Sequence, residues 1–402
     1  MWLFYFPTND TLFERLVEME SDLHRRLAAV DTSILKRAYE RQLTLMNARE
    51  MGVELDDGGF EEVEGDDDNG AAVAATALAK TSGEEGEKEE TVFTKLSSEA
   101  STELFEGIIV EQRPYLCLFD INSFDEARCV FMRANKHLDA AKKHFVLDGY
   151  VTDHVQILQA QSRLYHYLAQ FENDQKRRLA MENRRQSMLS PLIEQLNRIS
   201  YEGLHKEISY ELGEICFTQL EIKLNKLRGK SLNNIVDGRY LKKAEVSNCN
   251  EYSRLALAYF SHYTSFYTRN GNDNSSVTNE TRPKYDKMKL NELAYAACTD
   301  PDEASIGEQE VRSFLNAHFY CARILTKILM STETPQQETT VYLVAAMKRF
   351  EYIAKYAPTL MENKDVEDNI FGEELNLCKE MAELLPQKMD RVAYMKETPT
   401  IL

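Results

Sequence analysis

Glycine and proline are scarce in this chain, sixteen and nine among 402 residues, about half of ordinary globular usage. So few turn formers exclude a turn-rich β architecture and favour long helices. No apolar run approaches the ~20 residues that a membrane-spanning helix requires, which excludes membrane insertion. The N-terminal MWLFYF is apolar but stops at Pro7 with no basic residues ahead of it, so it reads as an apolar end and not as a secretory signal. Cysteine is sparse too. Cys117, Cys129, Cys216, Cys249, Cys298, Cys321 and Cys378 stand far apart with no CxxC pair. That spacing argues against zinc and for packed free thiols in a reducing compartment. Negative charge is abundant but local. Of the net −18, the stretch Glu54–Glu90 supplies −12, from fourteen acids against Lys80 and Lys88. The chain carries an acidic insert and is not acidic throughout. It also lacks the interleaved basic and aromatic residues of a nucleic-acid surface, so nucleic acid is excluded as a partner.

What is present is helical periodicity. Thr11, with Glu14 three residues on, predicts a capping box. Leu12, Leu16, Met19, Leu23, Leu27, Val30 and Ile34 then recur at steps of three and four, and the pattern persists through Ala38 and Met46 until Gly52. This predicts one helix over 11–52 whose buried face is that stripe, about 60 Å long. Gly58–Glu90 is acidic and rich in Gly, Ala and Ser, too poor in apolar side chains to offset chain entropy, so disorder is expected there. The expected organisation is an apolar end (1–10), the long helix (11–52), the acidic insert (53–92), a helical array (93–396) and a tail (397–402). Within the array, helices are predicted at 201–227, 249–269, 282–298, 309–331, 339–357 and 366–396.

The most informative stretch is 124–196. Phe124, Ala127, Phe131, Ala134, Leu138, Ala141 and Phe145 form one helical stripe, Asp148-Gly149 supplies a turn, and Val155, Leu158, Ser162, Tyr165, Leu168 and Ala169 form a second stripe. The spacing predicts a hairpin whose return arm is one very long helix, 155–196, capped by the side chain of Thr152 or Asp153. Hairpins with small residues at the crossing are the unit of tetratricopeptide-like arrays, and the fold class is therefore an all-α array of antiparallel hairpins entered through a long helix.

In chain order, FDEAR, HxxxAKxHF, DGYVTDH, AxFENDxxRR and RRxSMLxPLxxxLN, with ELNLCKEMAELLPQKMDRV near the end, resemble the kinesin-binding protein family. The resemblance implies that 11–52 joins two helical subdomains. It also implies an N-terminal array ahead of that helix, of which this sequence has essentially nothing, so a truncated isoform or an incomplete gene model is expected. It implies a cytoplasmic, cytoskeleton-associated protein that is not an enzyme. Its implied partners are kinesin motor domains, with other cytoskeletal proteins as further candidates, and its implied effect is to hold motors off microtubules. The alternative is a general tetratricopeptide-like adaptor for peptide segments of other cytosolic proteins.

Motifs for chemistry are absent from the sequence. Gly229-Lys230-Ser231 lacks the glycine that a phosphate-binding loop needs, because position 224 is Leu. The eight histidines form no HExxH, and no cofactor is expected. Asp148, Asp153 and His154 gather at the predicted turn, where turn-forming and capping account for both aspartates. Tyr259, Phe260, Tyr263, Phe266 and Tyr267 are expected in the core. The candidate protein-binding residues are Tyr150 and His154 at the turn, and the basic stripe Lys176, Arg177, Arg178, Arg184 and Arg185.

Overall fold

The computed structural model describes residues 9–50, 121–228, 243–267, 285–295, 301–329, 336–363 and 371–394. Among them are ten α-helices and no β-strand. They are α1 (Asn9–Glu50), α2 (Phe124–His144), α3 (Val151–Gln170), α4 (Gln175–Gln195), α5 (Glu202–Arg228), α6 (Lys243–Thr264), α7 (Leu290–Tyr295), α8 (Val311–Thr326), α9 (Gln336–Asn363) and α10 (Gly372–Tyr394). The acidic insert, the start of the expected array before residue 121, Gly229-Lys230-Ser231, Cys117 and Cys298 lie outside the described residues. The chain divides into two compact units, one of Met1–Glu40 with Ile121–Leu402 and one of Arg41–Asp120.

From α2 onward the helices pack as sequential antiparallel pairs, with α8 reaching past the short α7 to pack on α6. Three apolar clusters hold the first unit together. One joins Ala28, Leu35 and Ala38 of α1 to α2 and α3. A second runs through α3, α4 and α5 by way of Val155, Leu189, Leu192, Leu212 and Ile215. The largest extends from Cys216 to Leu385 across α5 to α10. The aromatic series at the end of α6 and just beyond it lies in this cluster as expected, with Phe260, Tyr263 and Tyr267 buried. Phe260 stacks on Tyr320 at 5.2 Å and 10°. On α5, Gly213 sits so close to Phe260 that a Cβ there would fall 2.7 Å from the ring. Glycine is what lets α5 and α6 cross at that spot. Prolines stand inside three helices, Pro191 in α4, Pro358 in α9 and Pro386 in α10.

The hairpin stripe of α2 is buried as read, through Ala127, Phe131, Ala134, Leu138 and Ala141. Ser123 caps α2 in a reciprocal box with Glu126, and this hydrogen bonding holds the Glu126 carboxyl below its ordinary range. Several expectations need correction. The long return arm is two helices, broken at Phe171–Asp174, where Asp174 caps α4 by accepting from the Lys176 N–H at 2.9 Å. Helix α1 begins at Asn9, which puts Thr11 inside its first turn instead of ahead of it. Its buried face is also rotated from the predicted one. Ser21, Ala28, Asp31 and Leu35 face inward beside the expected Ala38, while Met19, Leu23, Val30 and Met46 are exposed. Asp31, fully buried, meets Arg133 of α2 at 3.4 Å. Within the predicted helix 282–298, the described residues form a 3-10 turn, Tyr285–Lys287, followed by the short α7. Helix α9 continues past the expected stop at Ala357 and through Pro358. Of the described cysteines, Cys216, Cys249, Cys321 and Cys378 are buried free thiols, and Cys129 is exposed.

Candidate protein-interaction surface

The turn between α2 and α3 depends on Gly149, whose φ of +108° is disfavoured for any side chain. Helix α3 then starts from Tyr150 with no side-chain cap, so Thr152 and Asp153 lie in its first turn and the predicted cap is corrected. Asp153 serves another purpose. Its carboxylate pairs with Arg25 of α1, and the Arg25 guanidinium also lies over the Phe145 ring, 5.1 Å from its centroid. The His154 Nδ1–H donates to the Phe145 carbonyl at 2.8 Å. Tyr150 packs its ring against Phe145 and His144. His24 of α1 meets His137 of α2 through their Nδ1 atoms at 2.9 Å. The DGYVTDH segment is thus a joint that fastens α1 to the hairpin. Tyr150 and His154 are half-buried within it.

The basic run divides by burial. Lys176, Arg177 and Arg184 are exposed on the outer face of α4, and Arg178 is half-buried. Arg177 reaches back to the buried Glu172 at 3.4 Å. Arg185, only 5% exposed, turns inward, so the solvated stripe expected for it is corrected. Its guanidinium donates to Glu182 at 2.7 Å and to Ser162 at 3.0 Å, and it lies 3.4 Å from Glu211. Ser162 accepts from Arg185 and passes its own hydroxyl hydrogen to Glu211. This chain of bonds ties α3, α4 and α5 together.

The same cluster sets the titration of its members. Burial pushes the Glu182 carboxyl up, against the pull of Arg185. Burial raises Glu214 to about 7, with Arg185 opposing and Glu211 adding. Burial, then Arg185 and Arg178, lower His166 to about 4. Burial also pushes the thiols of Cys216, Cys249 and Cys378 up, which keeps them protonated and poor nucleophiles. Among the described residues no three His, Cys, Asp or Glu side chains come together as a metal group, and no helix is long and apolar enough to cross a membrane.

Sequence reasoning missed one surface feature. A cleft of about 650 Å³ opens between α1 and α3, lined on one side by Arg25, Arg26 and Lys36 and on the other by Ala160 and Arg163. The α1 wall was concealed by the register error, which placed the wrong face of that helix inward.

Comparison with known proteins gives a consistent result. The family described as "KIF-1 binding protein C terminal" matches residues 10–392. The chain is 30% identical over 313 residues to the KIF-binding protein of Bos taurus, a match covering 76% of this chain and 42% of that protein. It is 29% identical to the Homo sapiens protein over the same shares, and 23% identical over 270 residues to that of Drosophila melanogaster, covering 67% of this chain and 38% of that one. The chain therefore spans about 42% of the length of its first relatives. No solved structure matches.

Proposed function

We propose that this chain, which belongs to the KIF-binding protein family, binds kinesin motor domains and restrains their attachment to microtubules. Microtubule-based transport, mitochondria included, and neuronal and cytoskeletal development are the processes this would regulate, in the cytoplasm and at the cytoskeleton. The observation that carries the reading is the family match over residues 10–392, which takes in every described helix but the first residue of α1 and the last two of α10. An array of stacked hairpins supports it, since such arrays offer extended surfaces to other proteins.

The mechanism is occlusion. Tubulin's surface is acidic, so the motor face that grips it is basic. A scaffold covering that face competes with the microtubule by mass action, and no chemistry is required. Among the contact candidates, Lys176, Arg177 and Arg184 reach solvent and suit carboxylates elsewhere on the motor, with Arg178, Tyr150 and His154 at the margin. Arg185 serves from inside, by holding α4 in place.

The test is microtubule co-sedimentation of several purified motor domains with increasing amounts of this protein. Motors should leave the pellet in a dose-dependent way. Lys176→Glu with Arg177→Glu and Arg184→Glu should weaken the effect, most of all at low salt, where exposed charges act furthest. If no motor leaves the pellet and none binds in solution, the reading fails and the general adaptor takes its place.

A further inference from the structure

The cleft between α1 and α3 lies apart from the contact candidates named above, and its shape and charge describe a different ligand. On α1 it is lined by Asp22, Arg26, Ala29, Ser33 and Lys36, residues that return to one helical face every three or four positions. On α3, Gln156, Ala160, Arg163 and Tyr167 do the same. Small side chains at Ala28, Ala29 and Ala160 keep the floor shallow and wide. Two helix faces with a floor of small residues form a groove that accepts the ridge of a third helix. The lined part of α1, from Asp22 to Lys36, rises about 21 Å, or roughly four turns.

Charge selects the occupant. Four cations, Arg25, Arg26, Lys36 and Arg163, line the cleft against one carboxylate, Asp22. Arg25 is engaged by Asp153. Arg26 holds Asp22 at 2.8 Å but is 78% exposed, and Lys36 stands 3.5 Å from Glu40 and is 56% exposed. Exposed pairs of that kind are worth little and give way to a better-placed partner. Arg163 is exposed and makes no ion pair with a described residue. Cations therefore stand on both walls, Arg26 and Lys36 on one and Arg163 on the other.

We propose that this cleft binds a single amphipathic helix of a partner protein, about four turns long, with small or aliphatic residues on one face and carboxylates flanking them. The motor's basic face is repelled by this cleft, so the ligand is a second partner, separate from the motor.

The experiment uses the full chain and a fluorescent peptide of about 16 residues, a length that rises ~24 Å, built from Ala, Leu and Glu with an apolar stripe. A scrambled peptide of the same composition and a counterpart with Lys for Glu serve as controls. Fluorescence anisotropy should show saturable binding of the acidic helix alone, weakening as salt rises. Arg163→Glu with Lys36→Glu, both at exposed positions, should weaken binding about tenfold or more. Ala160→Trp, which fills the floor, should abolish it, with circular dichroism confirming that each variant is folded. Equal binding of the scrambled or the Lys peptide overturns the proposal, as does unchanged affinity in the folded double charge reversal. Self-association that Ala160→Trp dissolves would give the cleft to a second copy of this chain, and that also overturns it.

Discussion

Arg184 and Arg185 are adjacent in sequence and opposite in environment, so truncating each to alanine separates a surface charge from an internal one. Arg185 is 5% exposed and its partner Glu182 is 2% exposed. Its guanidinium faces three carboxylates, Glu182, Glu211 and Glu214. Alanine at 185 leaves those acids near one another, with the half-buried Arg178 still acting on Glu182. Removing one member of a buried pair costs about 3–5 kcal/mol, because the remaining charge stays desolvated. The carboxylates can escape part of that cost by taking up protons. Burial has already raised Glu182 and Glu214, and losing Arg185 removes the force that opposes the rise. The penalty should therefore be largest near neutral pH and smaller near pH 5. Arg184→Ala should change stability by less than about 0.5 kcal/mol. Urea unfolding followed by circular dichroism, extrapolated linearly at both pH values, measures all of this. A double-mutant cycle of Arg185→Ala with Glu182→Gln should show strong coupling. Equal effects of the two arginine truncations would refute the internal role. A large Arg185 penalty that ignores pH would assign it to lost packing instead of unpaired charge.

Two further outcomes follow from the same unit. Gly213→Ala meets the fully buried ring of Phe260. Overpacking of about 1–3 kcal/mol should outweigh the ~1 kcal/mol gained in helix propensity, whereas Gly203→Ala on the same helix, with nothing near its Cβ, should not destabilise; thermal melts of the pair decide it. The pH profile carries two opposed contributions. Glu214, raised from 4.5 to about 7, favours folding fully below its unfolded value and loses that contribution as pH rises through about 7. His166, lowered from 6.5 to about 4, contributes fully above 6.5 and loses it as pH falls through about 4. Each is of the order of 3 kcal/mol. Glu214→Gln should flatten the alkaline limb of the urea midpoint against pH, and His166→Asn should remove part of the acid limb.

The hairpin was legible because α2 and α3 bury stripes spaced by the helical period, and Asp148-Gly149 turns the chain where φ becomes positive. The break after Gln170 was not seen, since no glycine or proline marks it. The signal was local turn chemistry, Asn173-Asp174 ahead of a basic run, which is an N-cap sequence. Helix α1 misled in register. Its large apolar residues were assigned to the buried face, but the face that packs carries Ser21, Ala28 and Asp31, and the buried Asp31 found Arg133. Within the basic run, spacing alone does not distinguish Arg185 from Arg184. The distinction lies in Glu182 one turn earlier, and in Ser162 and Glu211 on helices that only the fold brings alongside.

The three interior prolines have a mechanical consequence. Each lacks the N–H that would bond to the carbonyl four residues before it, so Ser187, Ala354 and Ala382 lose that link of the backbone ladder. A helix interrupted in this way bends at the interruption more easily than along its length. Compliance in the array is thus concentrated at Pro191, Pro358 and Pro386, while the Gly213–Phe260 crossing is stiff. A load applied by a bound protein would be taken up as rotation at those three points, sparing the aromatic core between them.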